Sequence, residues 1–327
     1  MELKTQNQET INENIKVDDL IVLDSKNISK SYKNVQVLNN ISIKIEKGNV
    51  YGLVGENGSG KTTFMRLITG LQNPTSGEYS LFNVNFNDKK IIQSRKKVAG
   101  IIEAPSFFPN FTAFDNLKFQ ATLLNVKTTN EELKSILTSV GLSDSTLDKK
   151  KVKNFSLGMK QRLAIAMCLI GKPEFLILDE PINGLDPEGV AEIRKLINHL
   201  SQDKKITILI SSHILSELSK VATKYGFIHK GKLVQEISAE ELENRVSKKT
   251  LIIVNDVAEA TKLLDDKKII YSMSSKPNEI ILDGGKTIKE VNEIFNGTNI
   301  EVTDIKVNQE DLESYYINLV NSSSKGV

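Results

Sequence analysis

The chain has 327 residues and, since a domain usually has about 100–200 residues, is expected to form more than one domain and fewer than three. Its composition, 39% hydrophobic and 26% charged, is that of a globular protein, and its net charge of +2 is too small to attract nucleic acid or acidic lipid. The single cysteine, Cys168, excludes an internal disulfide bond and is expected to be buried, and no apolar run reaches the roughly 18 residues that a membrane span needs.

The N-terminal segment, residues 1–20, is polar and contains no aromatic residue. It also lacks the apolar centre of a signal peptide. We therefore expect a flexible N-terminal tail, an ordered region that begins near Ile21, and a cytoplasmic chain.

The first ordered region combines short strands with a glycine-rich turn. Strands are predicted at Ile21–Leu23, at Ile41–Ile45 and at Val50–Val54, and a helix is predicted at Thr63–Leu71. The turn between the last strand and this helix reads G-E-N-G-S-G-K-T from Gly55. A strand, a glycine-rich turn and a helix in this order form the context of a phosphate-binding loop.

The residues of this turn have separate roles in phosphate binding. Glycines let backbone N–H groups approach phosphate oxygens, and the start of the following helix adds a positive dipole end. Lys61 is expected to reach the β- and γ-phosphates of a nucleotide, and the Thr62 hydroxyl is expected to bind Mg²⁺. The predicted nucleotide-binding residues of the turn are Gly55, Asn57, Gly58, Ser59, Gly60, Lys61, Thr62 and Thr63.

The middle of the chain alternates helices with buried strands. Apolar residues at Leu133, Ile136, Leu137 and Val140 have helical spacing, and residues from about 104 to 154 are predicted to form a mostly helical insert. Continuous apolar runs predict buried parallel strands, and an apolar stripe between them predicts a helix. The continuous run is Phe175–Leu178, and Ile206–Ile210 is predicted to be the next buried strand. The stripe is Val190, Ile193, Ile197 and Leu200. This order predicts a largely parallel α/β sheet.

Two carboxylates follow the apolar run Phe175–Leu178. A strand end beside a phosphate-binding loop is where a second Mg²⁺ ligand is needed, and Asp179 fits that role. Glu180 is one residue further along and can orient or deprotonate an attacking water molecule.

The chain changes character after about Ser238, where glycines become rare. Strands and helices then alternate in the order β-α-β-β-α-β, which predicts a small ferredoxin-like domain. The predicted strands are Thr250–Val254, Ile269–Met273, Glu279–Leu282 and Ile300–Val307, the helices between them are Val257–Leu264 and Thr287–Phe295, and a last helix is Asp311–Val320.

Residues 155–162, F-S-L-G-M-K-Q-R, resemble the signature segment of the ABC ATPases, usually L-S-G-G-Q followed by a basic helix. Ser156 and Gly158 match this pattern, whereas Phe155, Leu157 and Met159 depart from it. Ser156 also suits a helix N-cap. Further residues at the family's positions resemble its D-loop aspartate, its switch histidine and its adenine-stacking aromatic residue; these are Asp186, His213 and Tyr32.

This resemblance implies a P-loop NTPase of the ABC type, with a RecA-like core and helical insert in residues 21–237 and a C-terminal α+β accessory domain in residues 238–327. It implies ATP and Mg²⁺ as ligands, with Glu180, His213 and Lys61 in catalysis. The signature residues Ser156, Gly158 and Met159 would complete the ATP site of a second chain, expected to be an identical copy. A separate membrane permease, and a location on the inner face of a bacterial plasma membrane, are also implied.

One departure from the family indicates a subfamily. ABC ATPases usually carry glutamine where the sheet meets the insert, and this chain has Glu103 there, followed by A-P-S-F-F-P. This segment, the S-L-G-M-K-Q signature and the D-L-E-S-Y-Y segment near the C-terminus are similar to those of ATPases from bacitracin-type and lantibiotic self-immunity exporters. Glu103 is predicted to contribute to Mg²⁺ binding and to coupling with the permease, although a neutral exchange for glutamine is the alternative.

Two other functions remain open at this point. The first is an ABC ATPase without a transport role, such as a ribosome-associated factor, although those usually carry two cassettes. The second is a regulatory module with an inactive site, although Lys61, Asp179, Glu180 and His213 are all present.

Overall fold

The computed structural model describes residues 20–142, 149–246, 248–274, 276–284, 286–309 and 312–324. Apart from Leu20, the predicted N-terminal tail lies outside these residues. The chain divides into two compact units. Among the described residues, the first unit contains those from Leu20 to His213 together with Lys220–Glu236, and the second contains Ile214–Ser219 and those from Ile237 to Ser324.

The first unit contains two sheets and the helical insert. Its strands are β1 Ile21–Tyr32, β2 Val35–Ile41, β3 Lys44–Glu46, β4 Val50–Val54, β5 Ser76–Leu81, β6 Val84–Asn85, β7 Val98–Ile101, β8 Phe175–Leu178, β9 Thr207–Ser212, β10 Lys224–His229 and β11 Lys232–Ser238. Its helices are α1 Lys61–Ile68, α2 Ile91–Arg95, α3 Ala113–Leu123, α4 Asn130–Ser139, α5 Leu157–Leu169 and α6 Pro187–Asn198.

The first sheet is antiparallel, with strand order β2-β1-β5-β6 and with β3 also paired to β1. The single strand predicted at Ile41–Ile45 is wrong, because β2 ends at Ile41 and β3 begins at Lys44. The Ser25 side chain causes the break: its Oγ accepts a hydrogen bond from the Ile43 N–H at 2.8 Å and donates one to the Ile43 carbonyl at 3.1 Å. The alternation of buried residues still holds.

The second sheet has the order β11-β10-β4-β9-β8-β7, and its inner pairs are parallel. Strands β4, β8 and β9 are completely buried, as the continuous apolar sequence of β8 predicts for that strand. Strand β9 also buries three polar residues, Thr207, Ser211 and Ser212. Strand β9 lies between β4 and β8, so that Val54 pairs with Ser212 and Leu178 pairs with Ile210. The carboxyl ends of the three strands therefore meet at one edge of the sheet.

In the described part of the insert, helices are the main elements, as predicted. Helices α3 and α4 each begin with a capping box, formed by Thr112 with Asp115 and by Thr129 with Glu132. A 3₁₀ turn at Val152–Asn154 leads to α5. Later in the chain, α6 continues into a π-helical turn, so the helix predicted to reach Leu200 is present with a wider last turn.

The second unit has the elements α7 Leu215–Leu218, α8 Ala239–Arg245, β12 Lys248–Val254, α9 Val257–Asp266, β13 Tyr271–Met273, β14 Glu279–Leu282, α10 Ile288–Phe295, β15 Val302–Gln309 and α11 Leu312–Ser324. Its sheet is antiparallel with the order β13-β14-β12-β15. This order, with α9 and α10 as the connecting helices, is the ferredoxin-like arrangement that the sequence predicts. Within this unit α7 packs against α11, and the Ser216 hydroxyl donates to Glu313 Oε1 at 3.2 Å.

The last helix is longer than the predicted one and runs on to Ser324. Asp311, its predicted first residue, lies outside the described residues. In the part of the chain that the structure describes, no helix is both long and apolar enough to cross a membrane.

Candidate active site

The phosphate-binding loop connects β4 to α1. Gly58 and Gly60 have φ values of 81° and 112°, in the left-handed region that residues with a Cβ rarely adopt. A Cβ on Gly55 would lie 2.5 Å from the Ser59 hydroxyl oxygen and 2.4 Å from the Ile228 carbonyl oxygen. The glycines of the motif are therefore required by the backbone itself, before any ligand is considered.

Lys61 turns back over this loop. Its Nζ donates hydrogen bonds to the carbonyl oxygens of Gly55 at 2.6 Å and Glu56 at 3.1 Å, and the residue is only 5% exposed. The buried Ser59 hydroxyl has no hydrogen-bond partner in the described structure. A buried ammonium group, an unpartnered hydroxyl and the N-terminus of α1 together fit an anionic ligand such as a nucleotide phosphate.

Asp179, at the end of β8, is 7% exposed and has both carboxylate oxygens engaged. The Thr62 hydroxyl donates to Oδ2 at 2.8 Å, and the Ser211 hydroxyl donates to Oδ1 at 2.6 Å. The two predicted Mg²⁺ ligands, Thr62 and Asp179, are thus in direct contact. Mg²⁺ is commonly held by one or two protein oxygens and by substrate phosphates, and this pair fits that pattern. Among the described residues, no group of three or more His, Cys, Asp or Glu side chains is arranged so that it could hold a metal ion by itself.

Glu180 has an unusual backbone, with a φ of 47°. Its N–H donates to the Ser211 hydroxyl oxygen at 2.8 Å. Its Oε2 lies 2.8 Å from His213 Nδ1, and its Oε1 lies 3.3 Å from Lys61 Nζ. Because a carboxylate can only accept, His213 donates this hydrogen bond from Nδ1. The catalytic residues predicted from the sequence are therefore brought together.

Glu103 follows β7 and has a φ of 65°. Its carboxylate pairs with Arg66, which lies one turn after Thr62 on α1, and its side chain is 64% exposed. Glu103 therefore lies beside the helix that begins at the phosphate-binding loop. Its predicted roles in Mg²⁺ binding and coupling stay predictions.

Tyr32 lies at the tip of the β1–β2 hairpin. Its hydroxyl donates to Gln72 Oε1, its ring is partly exposed, and Lys30 Nζ lies 5.2 Å from the ring centroid. The structure therefore leaves part of the ring accessible to a ligand, and stacking on adenine stays a prediction.

The signature segment and the D-loop segment each begin a helix. Ser156 is the N-cap of α5 and accepts a hydrogen bond from the Met159 N–H at 3.2 Å. Asp186 is the N-cap of α6 and accepts one from the Gly189 N–H at 3.0 Å. A Cβ on Gly158 would lie 3.8 Å from the Gly189 Cα, so the two helix starts are neighbours within one chain. The exposed Ser156 is accessible to another molecule.

Sequence reasoning missed two residues of this region, Ser211 and Arg66. Ser211 lies near the end of β9, and the order of the strands brings it to the two carboxylates. Arg66 lies four residues after Thr62, on the same face of its helix. The helical spacing was an available signal for Arg66, whereas no local pattern identifies Ser211.

Comparisons with known proteins identify the family. Residues 38–183 match the family described as "ABC transporter". The chain is 39% identical over 301 residues to the bacitracin transport ATP-binding protein BcrA of Enterococcus faecalis, covering 91% of this chain and 96% of that protein. It is 43% identical over 223 residues to the lantibiotic transport ATP-binding protein SrtF of Streptococcus pyogenes, covering 68% of this chain and 93% of that one.

A solved structure supports the same fold. The cbiO1 protein of Clostridium perfringens, part of the ABC transporter complex cbiONQ, matches with a TM-score of 0.61 and 26% identity, over 69% of this chain and 91% of that chain. With the phosphate-binding loop, the acidic strand end and the histidine already located, these matches show that the chain belongs to the ATP-binding, ATP-hydrolysing subunits of ABC transporters.

Proposed function

We propose that this chain hydrolyses MgATP at the carboxyl edge of its parallel sheet, and that hydrolysis drives export of a peptide antibiotic of the bacitracin or lantibiotic type. The observation that supports the chemistry most directly is the contact of Glu180 with both Lys61 and His213, next to the Thr62–Asp179 pair.

Each residue of the site has a role in this proposal. Lys61 exchanges its two carbonyl hydrogen bonds for phosphate oxygens. Thr62 and Asp179 hold Mg²⁺, which when bound supplies positive charge to the phosphates. Glu180 accepts a proton from the attacking water, and His213 holds the Glu180 carboxylate in place and reaches toward the γ-phosphate.

The proposed functional unit is a dimer of two identical chains. Ser156 is exposed at the N-terminus of α5, where a phosphate of a nucleotide bound to a second chain can approach it. In this arrangement Ser156, Gly158 and Met159 complete the site of the partner, and Asp186 lies beside them.

The dimer can be tested with matched cap variants. Ser156→Arg should leave ATP binding by the monomer unchanged and abolish ATP-dependent dimerisation on gel filtration, because the chain's own phosphate-binding loop is intact. Ser238, also an exposed N-cap serine, is the control. Ser238→Arg should keep both properties. Loss of nucleotide binding by the Ser156→Arg monomer would contradict a role in the partner's site.

The proposed partner is a separate membrane permease. A cavity of about 1000 Å³ lies beside the segment that follows Glu103 and is lined by residues that include Pro105, Gln120 and Cys168. We place the permease contact here, because the cavity is lined both by the helical insert and by β7, the strand that ends just before Glu103. Gln120→Arg should reduce co-purification of the permease without changing the ATPase rate of the isolated chain. Gln93→Arg, at an exposed position of α2 that does not line the cavity, is the control.

The transported substrate is proposed from the relatives. The match to the bacitracin transport protein is long enough to include most of the second unit, so the likeness is not limited to the ATP-binding region. The test is expression of this chain, with the membrane protein encoded beside its gene, in a bacterium sensitive to bacitracin and to a lantibiotic. The inhibitory concentration of at least one should rise, and the Glu180→Gln variant should abolish the rise. Unchanged sensitivity to both would reject this substrate class.

A further inference from the structure

Strand β9 lies between the strand that precedes the phosphate-binding loop and the strand that carries the two carboxylates. Near its carboxyl end the Ser211 side chain is 0% exposed. One hydroxyl group there makes two contacts: it accepts the Glu180 N–H at 2.8 Å and donates to Asp179 Oδ1 at 2.6 Å. Ser211 thus touches both residues on which the proposed reaction depends.

The contact with Asp179 fixes the direction of a carboxylate. The terminal torsion of an aspartate has a broad energy profile, so the carboxylate orientation must be set by its partners. The Ser211 hydroxyl donates to Asp179 Oδ1, which leaves Asp179 Oδ2 to accept the hydrogen bond from Thr62. The Ser211 hydroxyl has a single hydrogen, and its oxygen already accepts from Glu180, so this hydrogen is available to Asp179.

The contact with Glu180 fixes a backbone. A φ of 47° is strained for a residue with a Cβ and persists only when its surroundings hold it. The contacts of the Glu180 carboxylate with His213 and Lys61 hold the end of its side chain. The N–H contact with Ser211 holds the backbone itself, which the side-chain contacts do not reach.

We propose that Ser211 is a positioning residue that holds the Asp179 carboxylate and the Glu180 backbone in register, so that the Mg²⁺ ligand and the proton acceptor keep a constant separation. This inference rests on the proposed function of Glu180. It adds a residue on a third strand that contacts neither water nor phosphate in the proposed mechanism and acts only through its two neighbours.

The test compares Ser211→Ala with Ser211→Thr and with Ser25→Ala in the full-length chain. Ser25 is a matched control, because its buried hydroxyl also accepts one N–H and donates to one oxygen, but in the other sheet of the first unit. Ser211→Ala should lower kcat by about 10–100-fold, the usual effect of losing a group that orients a ligand. Ser211→Thr, which keeps the hydroxyl, should restore most of the rate, and Ser25→Ala should keep it.

Two further readouts separate positioning from a general loss of stability. Hydrogen exchange at the Glu180 amide, measured without nucleotide, should be faster in Ser211→Ala and unchanged in Ser25→Ala. The Mg²⁺ concentration for half-maximal rate should rise, while ATP binding measured in EDTA stays unchanged. Unchanged Glu180 exchange, or a kcat no lower than that of Ser25→Ala, would overturn the proposal.

The Glu180→Gln variant distinguishes this outcome from failure of the proposed function. If Glu180→Gln hydrolyses ATP at the wild-type rate, Glu180 is not the proton acceptor. Exchange at the Glu180 amide still decides whether Ser211 holds the backbone, because that measurement does not use activity.

Discussion

The sheet edge of the first unit and the core of the second unit bury very different groups. At the sheet edge the ionisable side chains of Lys61 and Asp179 are almost inaccessible, and the buried Ser211 hydroxyl contacts Asp179. The core of the second unit is apolar, and among its described residues the fully buried polar side chain is Thr250, whose hydroxyl donates to the Lys286 carbonyl at 2.7 Å. Buried charges cost stability unless they are paired, so their concentration at one edge indicates chemistry rather than support of the fold.

The largest effect is expected where the buried charges meet. Glu180→Gln removes the proton acceptor but can keep the hydrogen bond with His213. Hydrolysis should fall by about 10²–10⁴-fold, the usual contribution of a general base. ATP binding should persist, and ATP-bound dimers should accumulate on gel filtration. A wild-type rate of ATP hydrolysis by Glu180→Gln would show that the reaction does not depend on this carboxylate.

A second test concerns a half-buried group of the first unit away from that edge, the thiol of Cys168. Burial raises the pKa of Cys168 from 9.0 to about 12. Cys168 is only partly exposed and lines the cavity beside α5, so the expectation of a buried thiol holds in part. At pH 8 the thiolate population should be about 10³-fold below that of an ordinary cysteine, and maleimide labelling should be correspondingly slow. Labelling in urea is the control, and rapid labelling of the folded chain would contradict the raised pKa.

A smaller effect is expected at Glu103, between the catalytic edge and the insert. Glu103→Gln should change the ATPase rate by about tenfold or less, and Glu103→Ala should reduce antibiotic resistance more than it reduces ATPase. The pairing with Arg66 provides a control. If Arg66→Gln reproduces these effects, Glu103 acts through its ion pair; if it does not, the Mg²⁺ role is favoured. Wild-type behaviour of Glu103→Ala would leave Glu103 as an ordinary loop carboxylate.

The smallest effect on nucleotide binding is expected from the second unit. Leu264 is fully buried in its core, and Leu264→Ala should destabilise that unit by about 2–5 kcal/mol. ATP affinity should stay within about twofold, because every proposed nucleotide contact lies in the first unit and sites without shared partners contribute independently. Leu53→Ala, an equally buried change in β4 next to the phosphate-binding loop, should reduce ATP binding. An equal loss of ATP affinity in Leu264→Ala and Leu53→Ala would show that nucleotide binding depends on the core of the second unit.

The sequence predicted those parts of the site whose residues are contiguous. The phosphate-binding loop and the Asp179–Glu180 pair each lie within one short segment, and the order β-α-β-β-α-β was sufficient for the fold of the second unit. The role of Ser211 could not be predicted, because it depends on β9 lying between β4 and β8. The break between β2 and β3 also depends on a distant contact, that of Ser25 with Ile43.

The backbone angle of Glu180 affects which variants would be selected for thermal stability. A residue with a Cβ in this conformation carries strain of roughly 1–3 kcal/mol, and glycine would relieve it. Glycine would also remove the carboxylate. Directed evolution that selects for heat resistance and not for activity should therefore favour Glu180→Gly. The resulting chain should be more stable to heat and should no longer hydrolyse ATP. At this residue thermal robustness and turnover are opposed, because the angle that places the carboxylate is one that only glycine adopts freely.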